Sequence, residues 1–374
     1  MKYKAVLPLI LFVSLGALNG TTKKTKTYAL IRYPVVDLFS SAAIPTTVSA
    51  ATRTPTPCLR IHQALFNEVF EIEQTEGQAT ALIIPWARYG YDAQGKAQAR
   101  YWVSNNDIIV LSKICIPDFH NALPFFNSHT VTLKKPLLIN KVTYSVGTQF
   151  VRTFNDTADD ISIKYIDSVA KNIQHCTIPR SAVLKTPPHP SRKEFVRVLT
   201  EFIKDIQSQN PGAIPYVWGG SSFLRPYSAS YTEDSQGFHR AENETVPLAG
   251  YDCSNLILRF AHMMNIPYFF KTTSMLEKYG KKLTRHDKLQ EGDLIWLQGH
   301  VAVITDLANT LILESSGYEN SVGRIRIVKL SEFLKNIKTW DDLLKAYRNN
   351  QIVVRLDSQG NDYKESPVKI FKLY

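Results

Sequence analysis

Short apolar runs separated by polar turns fill the chain between residues 28 and 184. One run reads Val69-Phe70-Glu71-Ile72, and turns such as Glu76-Gly77 separate it from the next run. Many short strands joined by polar turns are typical of small antiparallel barrels. We therefore predict β-structure throughout this half of the chain, with one barrel over residues 28–112 and a second over residues 128–184.

A proline-rich linker separates this half from the next. Residues 185–190 hold three prolines, which disfavour both a helix and a strand ladder. Ser191 then caps a predicted helix, and Glu194 completes a capping box. Apolar residues recur at helical spacing until Asn210-Pro211-Gly212 ends the helix. We predict that a separate domain begins here and covers residues 191–374.

The domain over residues 191–374 alternates between helical and strand patterns. A second helix begins at Cys253, because the apolar residues after it recur at helical spacing. Short apolar runs then predict the antiparallel strands of one sheet, at 293–298, 300–306, 310–315, 324–329 and 351–356. Helices packed on an antiparallel sheet belong to the α+β class.

The composition and the first residues indicate a folded, exported protein. Hydrophobic residues make up 44% of the 374 positions, which is enough to bury sizeable cores and excludes wholesale disorder. Basic residues, an apolar run over residues 5–17 and small residues up to Gly20 form the pattern of a secretory signal peptide over residues 1–20. The run is short for a membrane span. We expect that the signal peptide is cleaved, that the protein is exported to the periplasm or cell envelope and that no membrane span remains. The alternative is that this segment stays uncleaved as a membrane anchor.

The net charge of +11 comes from basic residues scattered along the chain. The sequence has no basic stripe interleaved with aromatic residues, so we do not expect nucleic-acid binding. A basic surface suits the anionic envelope of bacteria. The sequence does not indicate an oligomeric state.

Four cysteines are present, namely Cys58, Cys115, Cys176 and Cys253. None belongs to a Cys-x-x-Cys pair, so we do not expect a zinc site. Two alternatives stand for the first three cysteines. Two of them form a disulfide if the protein is in an oxidising compartment, or all three are buried thiols. Their spacing does not choose the pair.

Cys253 and His300 are the candidate catalytic pair. Cys253 begins a helix, where oriented backbone N–H groups lower the pKa of a thiol. His300 opens an apolar strand after Gly299. A histidine across a cleft takes the proton of such a thiol and later returns it to the leaving group. The pair therefore indicates a cysteine nucleophile with a histidine base.

Four segments in a fixed order surround this pair. They are Tyr216-Val217-Trp218-Gly219-Gly220, Asp252-Cys253-Ser254, Gly292-Asp293-Leu294 and His300-Val301. In order and character they resemble the motifs of the NlpC-type cell-wall cysteine peptidases, a papain-like family, over residues 191 to 356. The N-terminal half resembles bacterial SH3-like domains in part, since Tyr101 precedes Trp102 where those domains often carry a glycine.

The resemblance implies a papain-like catalytic domain preceded by one or two SH3-like barrels. It also implies hydrolysis of the γ-D-glutamyl–diaminopimelate bond of peptidoglycan stem peptides, without a metal or a cofactor. Tyr216 would lie beside the nucleophile, and Asp252 and Ser254 would contact the substrate, Asp252 at the free amino group of L-alanine. That contact predicts a preference for free stem peptides over intact wall. An N-acetylmuramoyl-L-alanine amidase and a catalytically inactive wall-binding protein are the alternatives.

Three features depart from the family pattern. The third catalytic position, usually histidine, asparagine or glutamine, is Glu314 here. A carboxylate there orients the imidazole and favours an imidazolium–thiolate pair, or the residue faces solvent without a role. Asn255 replaces a glycine. The polar insert over residues 221–251 is longer than in the family, and it is either a lid at the cleft or a loop without function.

Overall fold

The computed structural model describes residues 26–44, 60–83, 90–91, 97–98, 100–111, 130–167, 172–184, 191–209, 214–224, 232–233, 239–240, 249–317 and 322–374. The predicted signal peptide, Cys58, Cys115 and most of the insert lie outside these residues. Cys176 and Cys253 are both free thiols. No helix in the described part of the chain is long and apolar enough to cross a membrane.

The N-terminal half folds into short antiparallel strands, as predicted. The first group is β1 (Thr27–Ile31), β2 (Val35–Phe39), β3 (Arg60–Leu65), β4 (Val69–Glu76), β5 (Ala79–Ile83), β6 (Gly90–Tyr91), β7 (Ala97–Gln98), β8 (Arg100–Ser104) and β9 (Ile108–Val110). Seven of them form one sheet in the order β3-β2-β8-β5-β4-β1-β9, and β6 pairs with β7. Within the described residues this sheet is open, because β3 and β9 each pair on one side only. The closed barrel that we predicted is therefore not observed.

A second group of strands follows. It consists of β10 (Thr130–Thr132), β11 (Leu137–Ile139), β12 (Val142–Tyr144), β13 (Gln149–Arg152), β14 (Asp160–Ile166) and β15 (Ile173–Pro179). Four pair in the order β10-β13-β14-β15, and β11 pairs with β12. Phe66 of the first group packs into this second core, with its ring centroid 4.8 Å from that of Tyr144. The two groups share packing, and the boundary between them and their SH3-like nature stay predictions.

The C-terminal half begins with a helix that the capping pattern predicts. The hydroxyl of Ser191 accepts a hydrogen bond from the backbone N–H of Glu194 at 3.3 Å, at the start of α1 (Arg192–Gln209). The other helices of the described residues are α2 (Cys253–Met263), α3 (Thr273–Tyr279), α4 (Leu330–Phe333) and α5 (Trp340–Arg348). Helix α2 begins at the residue where the apolar pattern predicted it.

The strands of this half are β16 (Thr232–Glu233), β17 (His239–Arg240), β18 (Leu294–Leu297), β19 (His300–Asp306), β20 (Leu311–Ser316), β21 (Arg324–Lys329), β22 (Ile352–Leu356), β23 (Asp362–Pro367) and β24 (Lys369–Phe371). Five form a sheet in the order β21-β20-β19-β18-β24. One prediction is wrong, since the strand at 351–356 does not join this sheet. It pairs with β23 in a separate hairpin. Strand β24 takes the sheet edge instead, because its Ile370 and Phe371 are fully buried beside β18.

Helices cover both faces of this five-stranded sheet. Val301 and Val303 of β19 belong to the same apolar cluster as residues of α1 and α2, whereas Ala302 and Ile304 cluster with residues of α4 and α5. The alternation follows from strand geometry, in which successive side chains point to opposite faces. Helix α2 is buried along its whole length and contacts β19 and β20. The helix that begins at Cys253 therefore has a fixed position on the sheet.

Candidate active site

The two residues of the predicted catalytic pair lie at neighbouring element ends. Cys253 is the first residue of α2 and is 8% exposed. Its thiol is hydrogen-bonded by the backbone of Val301, the residue that follows His300 at the start of β19. The packing of α2 on β19 produces this contact. The structure thus brings the start of the helix to the start of the strand.

Glu314 lies against the imidazole of His300. Nε2 of His300 is 2.6 Å from Oε2 of Glu314, and both side chains are buried. The strand register explains the contact, because Glu314 of β20 pairs with Ala302, two residues after His300 on β19. The structure therefore places Glu314 where it can orient the imidazole.

Two arginines also bind Glu314. Nε of Arg326 is 2.6 Å from Oε1, and Nη2 of Arg355 is 2.8 Å from Oε2. Burial acts to raise the pKa of Glu314, but Arg355, His300 and Arg326 outweigh it and hold that pKa well below its ordinary value. Glu314 is therefore an ionised acceptor. It follows that neutral His300 carries its proton on Nε2 and leaves Nδ1 unprotonated.

Burial keeps both Cys253 and His300 uncharged. Burial, assisted by the charge of Arg355, lowers the pKa of His300 to about 4, although Glu314 acts in the opposite direction. Burial, assisted by the charge of Asp252, raises the pKa of the Cys253 thiol to about 11. At neutral pH the pair is therefore a thiol and a neutral imidazole.

This state differs from the imidazolium–thiolate pair that we expected from the sequence, for two reasons. The residue that caps α2 is itself a carboxylate, Asp252, and its charge opposes the effect of the helix N-terminus on Cys253. The charge of Glu314 is balanced by two arginines, which weakens its support for an imidazolium. The thiol proton therefore stays on Cys253 in this state.

We expect the alkylation of Cys253 by iodoacetamide to accelerate about tenfold per pH unit from about pH 6 to 9. Only the thiolate reacts, and its fraction keeps rising with pH because the thiol pKa lies at about 11. Mass spectrometry of the Cys253 peptide after timed alkylation measures the rate. A His300→Ala variant should show the same slope. A rate that does not change with pH over this range would demonstrate a preformed ion pair.

The segment Tyr216–Gly220 lies beside the start of α2. The backbone N–H of Gly219 donates to the carboxylate of Asp252 at 3.1 Å. The ring of Tyr216 lies close to Gly317 at the end of β20, where a Cβ would be 3.7 Å from its Cε1. Tyr216 also forms an isolated β-bridge with Tyr251, two residues before Cys253. A role for Tyr216 beside a nucleophile stays a prediction.

Asp252 and Ser254 flank Cys253 and are both buried. Asp252 is the N-cap of α2, and its Oδ1 accepts a hydrogen bond from the backbone N–H of Asn255 at 2.6 Å. The hydroxyl of Ser254 is 3.9 Å from Sγ of Cys253. Their contact with a substrate stays a prediction.

Sequence reasoning missed the charged residues around the predicted site. Arg326 and Arg355 bind Glu314, and Lys271 lies 3.6 Å from Asp252. Only Arg326 could have been predicted from the sequence, because it lies directly opposite Glu314 on the adjacent predicted strand. The others come from distant segments with no local signal.

The N-terminal half also reaches the site. Nδ1 of His62, on β3, is 3.2 Å from Oδ1 of Asn255, the residue that stands where the family has glycine. Gln63 accepts hydrogen bonds from the backbone N–H of Ser221 at 3.0 Å and from the hydroxyl of Ser222 at 2.7 Å. The start of the insert is therefore anchored on β3.

Other polar residues of α2 serve the packing of the helix. Nε2 of His262 is 2.8 Å from the carbonyl oxygen of Tyr268, so this buried histidine has a hydrogen-bond partner in the core. Arg259 forms an ion pair with Glu68 of the N-terminal half. Among the residues that the structure describes, no group of His, Cys, Asp and Glu is arranged to hold a metal ion.

Comparison with known proteins finds similarity in structure alone. No protein-family model and no curated protein matches the chain. A solved NlpC/P60 family protein from Bacillus cereus ATCC 10987 matches with a TM-score of 0.56 and 14% identity, over 84% of this chain and 96% of that one. NlpC2 from Trichomonas vaginalis matches with a TM-score of 0.35 and 11% identity, over 94% of this chain and 99% of that one. NlpC1 from the same organism matches with a TM-score of 0.34 and 11% identity, over 95% of each chain. The chain has a fold similar to that of the NlpC/P60 family protein from Bacillus cereus.

Proposed function

We propose that the protein is an exported cysteine peptidase that hydrolyses the γ-D-glutamyl–diaminopimelate bond of peptidoglycan stem peptides. The observation that carries the proposal is the 2.6 Å contact of His300 with Glu314, beside the helix start that holds Cys253. A nucleophile, a base and a group that orients the base are the parts that this chemistry needs. The NlpC-type motifs and the NlpC/P60 fold support a cell-wall peptide as the substrate.

In the proposed reaction, Nδ1 of His300 takes the thiol proton while Sγ of Cys253 attacks the γ-carbonyl carbon of D-glutamate. The oxyanion accepts hydrogen bonds from the backbone N–H of Cys253 and from the hydroxyl of Tyr216. The C–N bond then breaks, and the imidazolium gives its proton to the leaving amine. Water, deprotonated by His300, cleaves the thioester and restores the thiol. Glu314 keeps the other ring proton on Nε2 throughout.

The N-terminal half is proposed to shape the substrate cleft as one or two SH3-like domains. The contacts of His62 with Asn255 and of Gln63 with Ser221 and Ser222 support this role, because they lie at the helix of the nucleophile and at the insert. A signal peptide over residues 1–20 would deliver the protein to the periplasm or cell envelope, where peptidoglycan lies.

Mass spectrometry of muropeptide digests tests the proposed bond. Free tripeptides and tripeptides linked to muramic acid are incubated with the protein, and we expect the diaminopimelate to be released from the γ-carboxyl of D-glutamate. Release of a whole stem peptide from muramic acid would identify an amidase instead. Intact substrate, together with retention of the protein on sacculi, would identify a wall-binding protein without activity. Either of these two results would overturn the proposal.

A further inference from the structure

A buried lysine stands beside the nucleophile, and none of the steps above uses it. The side chain of Lys271 is 3% exposed, and its Nζ lies 3.6 Å from Oδ2 of Asp252. Burial lowers the pKa of Lys271, whereas Asp252 and Cys253 act to raise it, and the charge of Lys271 lowers the pKa of His62. Taking an ammonium ion out of water is costly unless a counter-charge balances it. Asp252 is the carboxylate that supplies this balance.

Other donors already hold Asp252. Its Oδ1 accepts from the backbone N–H of Asn255 at 2.6 Å, and its Oδ2 accepts from Nδ2 of Asn255 at 2.7 Å and from the backbone N–H of Gly219 at 3.1 Å. An ionised carboxylate has about four acceptor positions. Three of them are used, and Lys271 adds a positive charge beside them. The pairing that a substrate ammonium would make with Asp252 is therefore already made within the chain.

We propose that Lys271 selects against substrates with a free amino terminus, so that the enzyme acts on stem peptides whose L-alanine nitrogen is acylated. The inference rests on the proposed function and defines its substrate class. The N-terminal L-alanine of a free stem peptide carries an ammonium group at neutral pH. The positive charge of Lys271 repels this group from Asp252. An amide-linked nitrogen carries no charge.

The acylated class includes the stem peptide of intact peptidoglycan, in which L-alanine is amide-linked to muramic acid. The selection is the reverse of the preference for free stem peptides that the family resemblance implies through Asp252. Its physical origin is one residue, Lys271, which the motifs around the site do not include.

Peptide binding to the Cys253→Ala protein tests the selection without cleavage. Titration calorimetry compares L-Ala-γ-D-Glu-diaminopimelate with its N-acetyl derivative. We expect at least about tenfold tighter binding of the acetylated peptide, a difference of about 1.4 kcal/mol. Equal binding of the two peptides, tighter binding of the free peptide, or no binding of either would overturn the inference.

Two lysine variants show whether Lys271 is the cause. Lys271→Met keeps much of the apolar packing without the charge, and it should bind the free peptide at least about tenfold tighter than the protein with Lys271 does. Lys338→Met removes an exposed lysine and should change neither affinity. An unchanged preference in folded Lys271→Met protein would overturn the role of Lys271. If that variant does not fold, the comparison of the two peptides on the parent protein decides the matter.

Product analysis separates this inference from the proposed function. A protein that prefers the acetylated peptide but cleaves neither peptide would retain the selection and lose the proposed activity. A protein that binds and cleaves both peptides equally well at the γ-D-glutamyl bond would retain the activity and lose the selection.

Discussion

Replacing Cys253 with alanine is expected to reduce hydrolysis of stem peptides by roughly four orders of magnitude or more. In the proposed reaction the sulfur forms the covalent bond to the substrate, and alanine offers no atom that can replace it. The fold should persist, because the variant removes a single buried atom from the start of α2 and leaves the cap by Asp252 in place. Diaminopimelate release followed by mass spectrometry measures the rate, and thermal unfolding checks the fold.

Cys176→Ala is the matched control for this variant. Cys176 is a free, half-buried thiol on β15 in the N-terminal half, and burial raises its pKa. Its removal should leave hydrolysis close to the wild-type rate. Wild-type hydrolysis by folded Cys253→Ala protein would place the nucleophile elsewhere in the chain.

Replacing Glu314 with glutamine is expected to destabilise the protein by about 3–5 kcal/mol, the usual cost of removing one partner from a buried ion pair. The carboxylate is 1% exposed and balances Arg326 and Arg355. Glutamine is neutral, and its amide nitrogen can only donate. Whichever carboxylate oxygen this nitrogen replaces, it faces a donor of Arg326 or of Arg355. The midpoint of urea unfolding measures the loss.

Exposed Glu332 on α4 provides the matched control for that substitution. Glu332→Gln should change the free energy of unfolding by about 0.5 kcal/mol or less, as surface substitutions usually do. Equal stability of the Glu314→Gln and wild-type proteins would show that the carboxylate does not balance the arginines.

The loss of stability in the Glu314→Gln protein should also depend on pH. The pKa of Glu314 is held well below its ordinary value, so its stabilisation is fully present above the pKa of the unfolded chain, about 4.5, and is lost as pH falls through the folded pKa. The difference in the free energy of unfolding between the wild-type and Glu314→Gln proteins should therefore be constant near neutral pH and become smaller in acid. A difference that grows as pH falls would contradict this origin.

Activity should fall together with stability in Glu314→Ala. Without an acceptor at Nε2, neutral His300 has no partner to hold its proton there, and the tautomer with Nδ1 protonated cannot take the thiol proton. We expect a loss of about 10²-fold to 10⁴-fold in hydrolysis, the range for general base catalysis. Wild-type rates in folded Glu314→Ala protein would assign the orienting role to another group.

Several parts of this protein could be predicted from the sequence because they depend on neighbours in the chain. The capping pattern at Ser191, the helix that begins at Cys253 and the strands β18 to β21 follow from the periodicity of apolar residues and from local hydrogen bonds. The place of Glu314 also follows from local information, since adjacent antiparallel strands bring it opposite Ala302, which lies two residues after His300 and on the same face of the sheet.

Only the tertiary structure decided the sheet edge and the electrostatics of the site. Strand β24 replaces β22 in the sheet because buried Ile370 and Phe371 fill the edge, a packing question that a short apolar run leaves open. Arg355 and Lys271 reach Glu314 and Asp252 from distant segments. The charge state of Cys253 and His300 depends on how completely the fold removes water and on which charges surround the pair. Both are properties of three-dimensional packing and not of residue order.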